Sequence, residues 1–329
     1  MTVKWNGVTS SKRDLNGGGP QGATFGVWEY LAQSNSNANC VDNQYRFKFV
    51  DDLTTLEKVN LLVTGLTSFN IKLSVPNDIP THNQFIPQEN LQSSKTIENI
   101  KEWTKNQKMM LNQKKTKIML FNFTNNYQFT TRLSLNNENL EVVKSTKLLG
   151  VMISDDLKWD ENTHYLVKKA FQRMELLRKV SNYTNSKEDK RQIYISYIRS
   201  ILEQSCTVWH NSLTQENSNN LERVQKAAVK IILGNGYINN YKDALIKADL
   251  ETLNDRRETL CKNFAKKCIN NEKTENIFKK NKKKHKMKTK NPNKYEIQHA
   301  YTSRFKNSAI PYMRRLLNLE NKKEKVLFN

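Results

Sequence analysis

Tyr45-Arg46-Phe47-Lys48-Phe49-Val50-Asp51-Asp52-Leu53-Thr54-Thr55-Leu56 is the stretch on which the reading of this chain turns. Tyr45, Phe47 and Phe49 alternate with Arg46, Lys48 and Val50, the period-2 signature of a half-buried strand rich in aromatics. Extended propensity resumes from Leu53 to Leu56, so the pattern predicts a tight hairpin with Asp51-Asp52 at its tip. Neighbours in regular strand geometry point to opposite faces, and a turn is needed before two adjacent carboxylates share a site. Asp-Asp in a turn is by itself ordinarily a solvated loop. Asp155-Asp156 is the internal control, since it follows a strand-like run ending at Ile153 and precedes a helical stretch, where a turn or N-cap role suffices.

Upstream, residues 17 to 26 read Gly-Gly-Gly-Pro-Gln-Gly-Ala-Thr-Phe-Gly and feed a helix start at Val27-Trp28-Glu29-Tyr30-Leu31. Glycines before a helix N-terminus let backbone approach a ribose or phosphate, and the absence of a Gly-Lys-Ser/Thr ending excludes a Walker loop. Downstream, Pro76, Pro80 and Pro87 punctuate a loop, and Ile97, Ile100, Trp103 or Thr104, Gln107 and Met110 predict an amphipathic helix from about Thr96 to Leu111. Lys114-Lys115-Thr116-Lys117 then reads as a basic turn entering a buried strand, Ile118 to Phe121. Extended pieces at Leu133 to Leu135, Leu140 to Val143 and Leu148 to Ile153, with an Asn136-Asn137 turn, suggest a small meander.

After Trp159 the periodicity becomes helical. One stripe is Leu166, Ala170, Met174, Leu177 and Val180; a second is Ile193, Tyr194, Tyr197, Ile201 and Leu202. A third is Leu221, Val224, Ala228, Ile231 and Ile232, and a fourth, behind Arg256 and Arg257, is Leu260, Phe264 and Cys268. Between 279 and 290 eight lysines crowd together, a run that repels itself and stays solvated until an anion arrives.

Across 329 residues the net charge is +22, the pI about 9.7 and the mean hydropathy −0.77. Such an excess of lysine favours polyanions through counterion release and steering, so nucleic acid is the leading partner class. No window has the apolar length of a membrane span or a strongly apolar face of a basic amphipathic helix. Cys40, Cys206, Cys261 and Cys268 form no C-x-x-C pair, which argues against a disulfide framework or zinc ribbon and fits a reducing, intracellular compartment, nuclear or cytoplasmic. Cys206 and His210 share a helical face, with buried cysteine favoured over ligation. The N-terminal residues show no signal-peptide pattern.

The order of these segments resembles a family. Gly18-Gly19-Pro20-Gln21-Gly22 looks like the Gly-x-Pro-Gln-Gly element of reverse transcriptases, and Phe49-Val50-Asp51-Asp52 looks like their Phe/Tyr-x-Asp-Asp box. Asn112-Gln113-Lys114-Lys115-Thr116 is similar to the Asn-x-x-Lys-Thr element of non-LTR retrotransposons, and Leu148-Leu149-Gly150-Val151 to their primer-gripping hairpin. Leu221-Glu222-Arg223-Val224-Gln225-Lys226-Ala227-Ala228 is similar to a helix downstream of that domain in jockey-like and related elements. The resemblance spans about Gly17 to Leu233.

That resemblance implies an α+β chain: a partial polymerase palm over 1–158, an all-α thumb-like module over 159–275 and a lysine-rich tail over 276–329. It implies RNA-directed DNA polymerisation on an RNA template and DNA primer, with deoxynucleoside triphosphates as substrates and Mg²⁺ as cofactor. Asp51 and Asp52 would be catalytic metal ligands. Gly19, Pro20, Gln21 and Gly22 would line the template and incoming nucleotide, and one of Lys114, Lys115 and Lys117 would face the triphosphate. Leu149 and Gly150 would position the primer terminus. The chain departs from the family where an Asp-x-x-x-x-Asp-like strand should precede the Gly loop, for only Asp14, Glu29 and Asp42 are acidic before Asp51. Val27 also stands where proline is usual. The expectation is a polypeptide inactive or nearly so on its own. The alternative is a non-catalytic basic nucleic-acid-binding protein, with the lysine run as an RNA contact or equally a solvated or nuclear-localisation segment.

Overall fold

A computed structural model describes residues 4–5, 7–11, 46–49, 52–57, 83–86, 91–107, 109–123, 128–281 and 293–327. The chain is mixed α+β and divides into two compact units, Met1–Lys144 and Ser145–Asn329.

The first unit holds short strands and one long helix. Strands β1 (Lys4–Trp5) and β2 (Val8–Thr9) pair antiparallel, as do β3 (Arg46–Phe49) and β4 (Asp52–Thr55). Strand β5 (Asn83–Ile86) leads to helix α1 (Gln92–Asn106). A 3-10 turn, Gln113–Lys115, and strand β6 (Lys117–Ile118) follow, and then β7 (Gln128–Thr131) pairs parallel with β5. This is the crossover arrangement that a parallel pair requires. Ile86, Leu91, Leu133, Leu135 and Leu140 form its core.

Glu57, just past β4, accepts hydrogen bonds from the backbone N–H groups of Gln92 and Ser93 at 2.7 Å each and from the Ser93 hydroxyl at 2.6 Å. A carboxylate there satisfies orphan donors and complements the helix dipole. That cap starts α1 four residues earlier than its apolar spacing predicts. The helix also stops earlier, so Met110 lies beyond it and is almost fully exposed. The buried strand expected from Ile118 to Phe121 is reduced to β6, and Phe121 is exposed. Nor is there a meander: β8 (Ser134–Leu135) pairs with β9 (Glu138–Asn139), while β10 (Glu141–Val142) runs parallel to β6.

The second unit opens with the hairpin of β11 (Ser145–Leu148) and β12 (Val151–Ser154). Asp156 makes the following turn, accepting from the Ser154 hydroxyl at 2.7 Å and the Lys158 N–H at 2.9 Å. Burial opposes these bonds, yet they hold its carboxyl below its ordinary pKa, so the control aspartate pair has the turn role expected of it. Helices α2 (Asp160–Ser181), α3 (Lys187–Ile193), α4 (Ser200–Glu203), α5 (Cys206–Trp209), α6 (Gln215–Leu233), α7 (Tyr241–Lys247), α8 (Leu253–Ile269), α9 (Ser303–Lys306) and α10 (Ala309–Leu327) complete it. Ser186, Thr214, Asn240, Thr252 and Thr302 each precede a helix and accept a backbone N–H in the first turn.

The α2 stripe of Leu166, Ala170, Met174 and Leu177 is buried against α6, whose Leu221, Val224, Ala228 and Ile232 face it as the periodicity predicts. Two stripes differ. A π-helical turn, Tyr194–Arg199, joins α3 to α4 and adds a residue to the turn, so Ile198 takes the inward position and Tyr197 is half exposed. On α8 the buried face is Leu253, Arg257, Cys261, Ala265 and Cys268, which rotates Phe264 outward. The sequence pattern hid this face because an arginine occupies its second turn. Within the segment assigned to the lysine-rich tail, α10 buries Met313, Leu316 and Leu317 against Cys261, Ala265 and Cys268. Residues 282–292, most of the lysine run, lie outside the described residues.

Buried polar groups tie these helices together. The Tyr194 hydroxyl donates to Gln225 Oε1 at 2.6 Å, while Gln225 Nε2 donates to the Glu251 carbonyl at 2.8 Å and to the Tyr241 oxygen at 3.1 Å. Tyr241 in turn donates to Glu222, which also accepts the N–H of Leu253 at the start of α8. Replacing Gln225 with alanine leaves two buried partners unsatisfied, an expected loss of roughly 2–3 kcal/mol. Urea unfolding of the variant measures it, and a loss under about 0.5 kcal/mol, the level of a neutral surface change, contradicts this account.

His210 supplies a pH handle. Arg257 Nε donates to its Nδ1 at 3.2 Å, and burial together with that positive charge depresses the imidazole to about 4. The unfolded chain therefore binds this proton more readily than the folded one. Stability is fully present above the ordinary imidazole pKa near 6.5 and is lost as pH falls towards 4, by roughly 3 kcal/mol from this group. Comparison of urea midpoints with His210→Gln isolates the effect: the wild-type chain should lose more stability between pH 7 and pH 4 than the variant.

Candidate functional site

The β3–β4 register pairs Phe49 with Asp52, so Asp52 opens β4 at the turn end of the hairpin and is exposed. Asp51 lies outside the described residues, as do Gly19, Pro20, Gln21 and Gly22. The Glu57 cap fastens the outgoing end of this hairpin to α1, an anchor without a sequence signature because the two lie 35 positions apart.

The Asn-x-x-Lys-Thr element is a self-closed turn. Asn112 Oδ1 accepts the Lys115 N–H at 3.1 Å, and the Thr116 hydroxyl donates to the Asn112 carbonyl at 3.0 Å. Gln113 Nε2 donates to Glu138 at 2.6 Å, which fixes the turn to the β8–β9 hairpin. The parallel pairing of β6 with β10 sets Lys117 opposite Glu141, and the two form an ion pair. Lys114 and Lys115 are exposed and make no ion pair among the described residues. Of the three candidate lysines, these two are therefore the ones available to an anion.

Leu149 and Gly150 form the tip of the β11–β12 hairpin at φ 48° and 88°. Positive φ at both central residues defines a type I′ turn, whose favoured residues are asparagine and glycine. Asn136 and Asn137 build the same turn between β8 and β9, at φ 54° and 66°. Leucine at the first position is strained, yet Leu149 is half exposed, so burial does not compensate it. Gly150 suits its place through its φ of 88°, and a Cβ there would also displace the Gln204 amide, 2.5 Å away.

Beside this tip the structure adds a cluster that sequence reasoning missed. Lys147 Nζ donates to the Tyr165 hydroxyl at 2.7 Å and lies 4.6 Å from its ring centroid, with Lys169 Nζ at 5.8 Å. The Lys147 hydrogen bond lowers the phenol's pKa. Tyr165 and Lys169 are one helical turn apart on α2, a spacing visible in the sequence; the meeting with Lys147 depends on how the hairpin packs.

Among the described residues there is no group of three or more His, Cys, Asp or Glu placed to hold a metal, and no helix long and apolar enough to cross a membrane. Comparison with protein-family models, curated proteins and solved structures returned no match.

Two substitutions separate strain from packing at the hairpin tip. Gly150→Ala is expected to destabilise by roughly 1–2 kcal/mol, through its φ and the contact with Gln204. Leu149→Asn is expected to stabilise by a few tenths of a kcal/mol, because asparagine suits the turn. Thermal unfolding reads both, and a Leu149→Asn variant melting below wild type would show that the leucine is not strained.

Proposed function

We propose that this chain carries the catalytic palm hairpin and thumb-like helices of a reverse transcriptase of the non-LTR retrotransposon type. Its substrates are an RNA template, a DNA primer and deoxynucleoside triphosphates. The observation that supports this reading best is Leu149: an apolar side chain, exposed, held at positive φ, on the hairpin whose Lys147 joins Lys169 on the Tyr165 ring. Strain retained at an exposed tip points to a ligand contact rather than a folding role, and a primer end offers both an apolar sugar face and phosphates. Asp52 at the turn end of its hairpin and the exposed Lys114 and Lys115 are consistent with a carboxylate and a phosphate-facing lysine.

Asp52 is an exposed oxygen donor, chemically suited to a hard cation, and Asp51 adjoins it in sequence. Bound by these two carboxylates, Mg²⁺ would supply charge neutralisation at the phosphates. Two carboxylates leave a metal pair under-coordinated, so the 329-residue polypeptide is expected to show negligible primer extension on an RNA template. Incorporation abolished by Asp51→Asn would overturn that expectation.

A second reading, a basic nucleic-acid binder without catalysis, draws on the helical unit having its own cores and on the net charge of +22. Metal separates the two. Mg²⁺-dependent deoxynucleotide binding lost in Asp51→Ala supports the polymerase site, whereas nucleic-acid binding indifferent to both supports the second reading.

A further inference from the structure

The helical unit contains a buried cation that the proposed function does not use. Arg257 is 0% exposed, and its Nη1 and Nη2 make no hydrogen bond among the described residues. Its Nε is held by His210, and its guanidinium carbon lies 5.7 Å from the Trp209 ring centroid. The carboxylates acting on it are committed elsewhere. Glu203 accepts from Arg256 at 3.0 Å and pairs with Arg199 at 3.5 Å, while Glu222 binds Tyr241 and the N–H of Leu253. An isolated charge in such a place is costly, which makes a nearby anion valuable.

One group that can supply it is a thiol, that of Cys206. Cys206 opens α5 and Cys261 lies on α8, one turn beyond Arg257 on the same face. Helix α5 packs against α8, and the Cys206 and Cys261 thiols interact across that contact. Both cysteines are buried and neither is bonded covalently. We propose that Cys206 and Cys261 are a reversible redox pair, closed to a disulfide between α5 and α8 by a hydroperoxide, with Cys206 as the attacking sulfur.

The surroundings divide the roles. The hydrogen bond from Cys261 and the charge of Arg257 lower the Cys206 thiol against the opposing effect of burial, whereas the same hydrogen bond and burial push the Cys261 thiol up. The Cys206 thiolate attacks the peroxide O–O bond, forming a sulfenic acid and releasing hydroxide, which takes up a proton to become water. Cys261 then attacks the sulfenic sulfur, its proton leaves with the departing hydroxyl as a second water, and the disulfide forms. The two thiols lose two electrons between them and the peroxide gains them. Peroxide is small and uncharged, and α5 has only four residues, following Ser205 at φ 51°, so local opening of this segment provides a route inward. Cys206 belongs to the larger core and Cys261 to the smaller, so the bond would link the two covalently.

The experiment exposes the full folded chain to hydrogen peroxide, blocks remaining thiols with N-ethylmaleimide and maps peptides by mass spectrometry. A linked pair containing Cys206 and Cys261, lighter by two hydrogens and reversed by dithiothreitol, is the expected result. In Cys261→Ser, a conservative change, dimedone should capture Cys206 as its sulfenic acid. Arg257→Met should slow Cys206 oxidation at least tenfold while Arg257→Lys retains it. The proposal is overturned if both cysteines are recovered as free thiols under peroxide that oxidises free cysteine, or if Cys206 pairs with Cys40 or Cys268 instead.

Discussion

Gln225 is a polar side chain at the centre of an otherwise apolar helix interface, and the second unit is organised around its hydrogen bonds. Through them α6 holds the π-helical turn by Tyr194, α7 by Tyr241 and the approach to α8 by the Glu251 carbonyl. Apolar packing between α2 and α6 is tolerant of small shifts, because burial has no direction. The amide has direction. Its partners come from three segments, so their arrangement is specified more narrowly than the leucine and valine stripes alone would demand. Glu222, one turn earlier, extends the same tie to the start of α8. The polar residues within the Leu-Glu-Arg-Val-Gln-Lys-Ala-Ala segment thus have a structural task that is independent of any ligand.

Arg257 shows the opposite balance. Its guanidinium is buried without a carboxylate bonded to it, although the protein has 32 acidic residues. The charge contributes to two shifts: burial and then Arg257 depress His210, and Cys261 together with Arg257 lowers Cys206. Burial acts with the cation on the imidazole and against it on the thiol, because in each case it disfavours the charged form.

The two type I′ turns show how a local rule can be obeyed or strained for different ends. Asn136-Asn137 uses residues that reach positive φ readily, and it joins two strands of two residues each. Leu149-Gly150 has the same backbone with a leucine at the strained position and a basic, aromatic cluster beside it. Glycine at the second place is explained by its φ of 88°. No burial offsets the strain at the leucine, which is half exposed.

Much of this was legible in the chain itself. The hairpin placing Asp52 beside Phe49, the Asn-Asn turn, the role of Asp156 and the α2 and α6 stripes all follow from period-2 or period-3.6 patterns and from turn chemistry, which act between near neighbours. What escaped depended on residues far apart. Glu57 starts α1 from 35 positions away, and the π-turn rotates Ile198 inward because the neighbouring helices accept it there. Arg257 and Cys261 lie on the buried face of α8, where charge argues for the surface, and α10 hides its apolar stripe among lysines. Sequence determined which segments turn, extend or coil, since those preferences are local. Only the tertiary structure decided which face is buried and which thiols face one another, because burial and contact depend on distances the linear order does not contain.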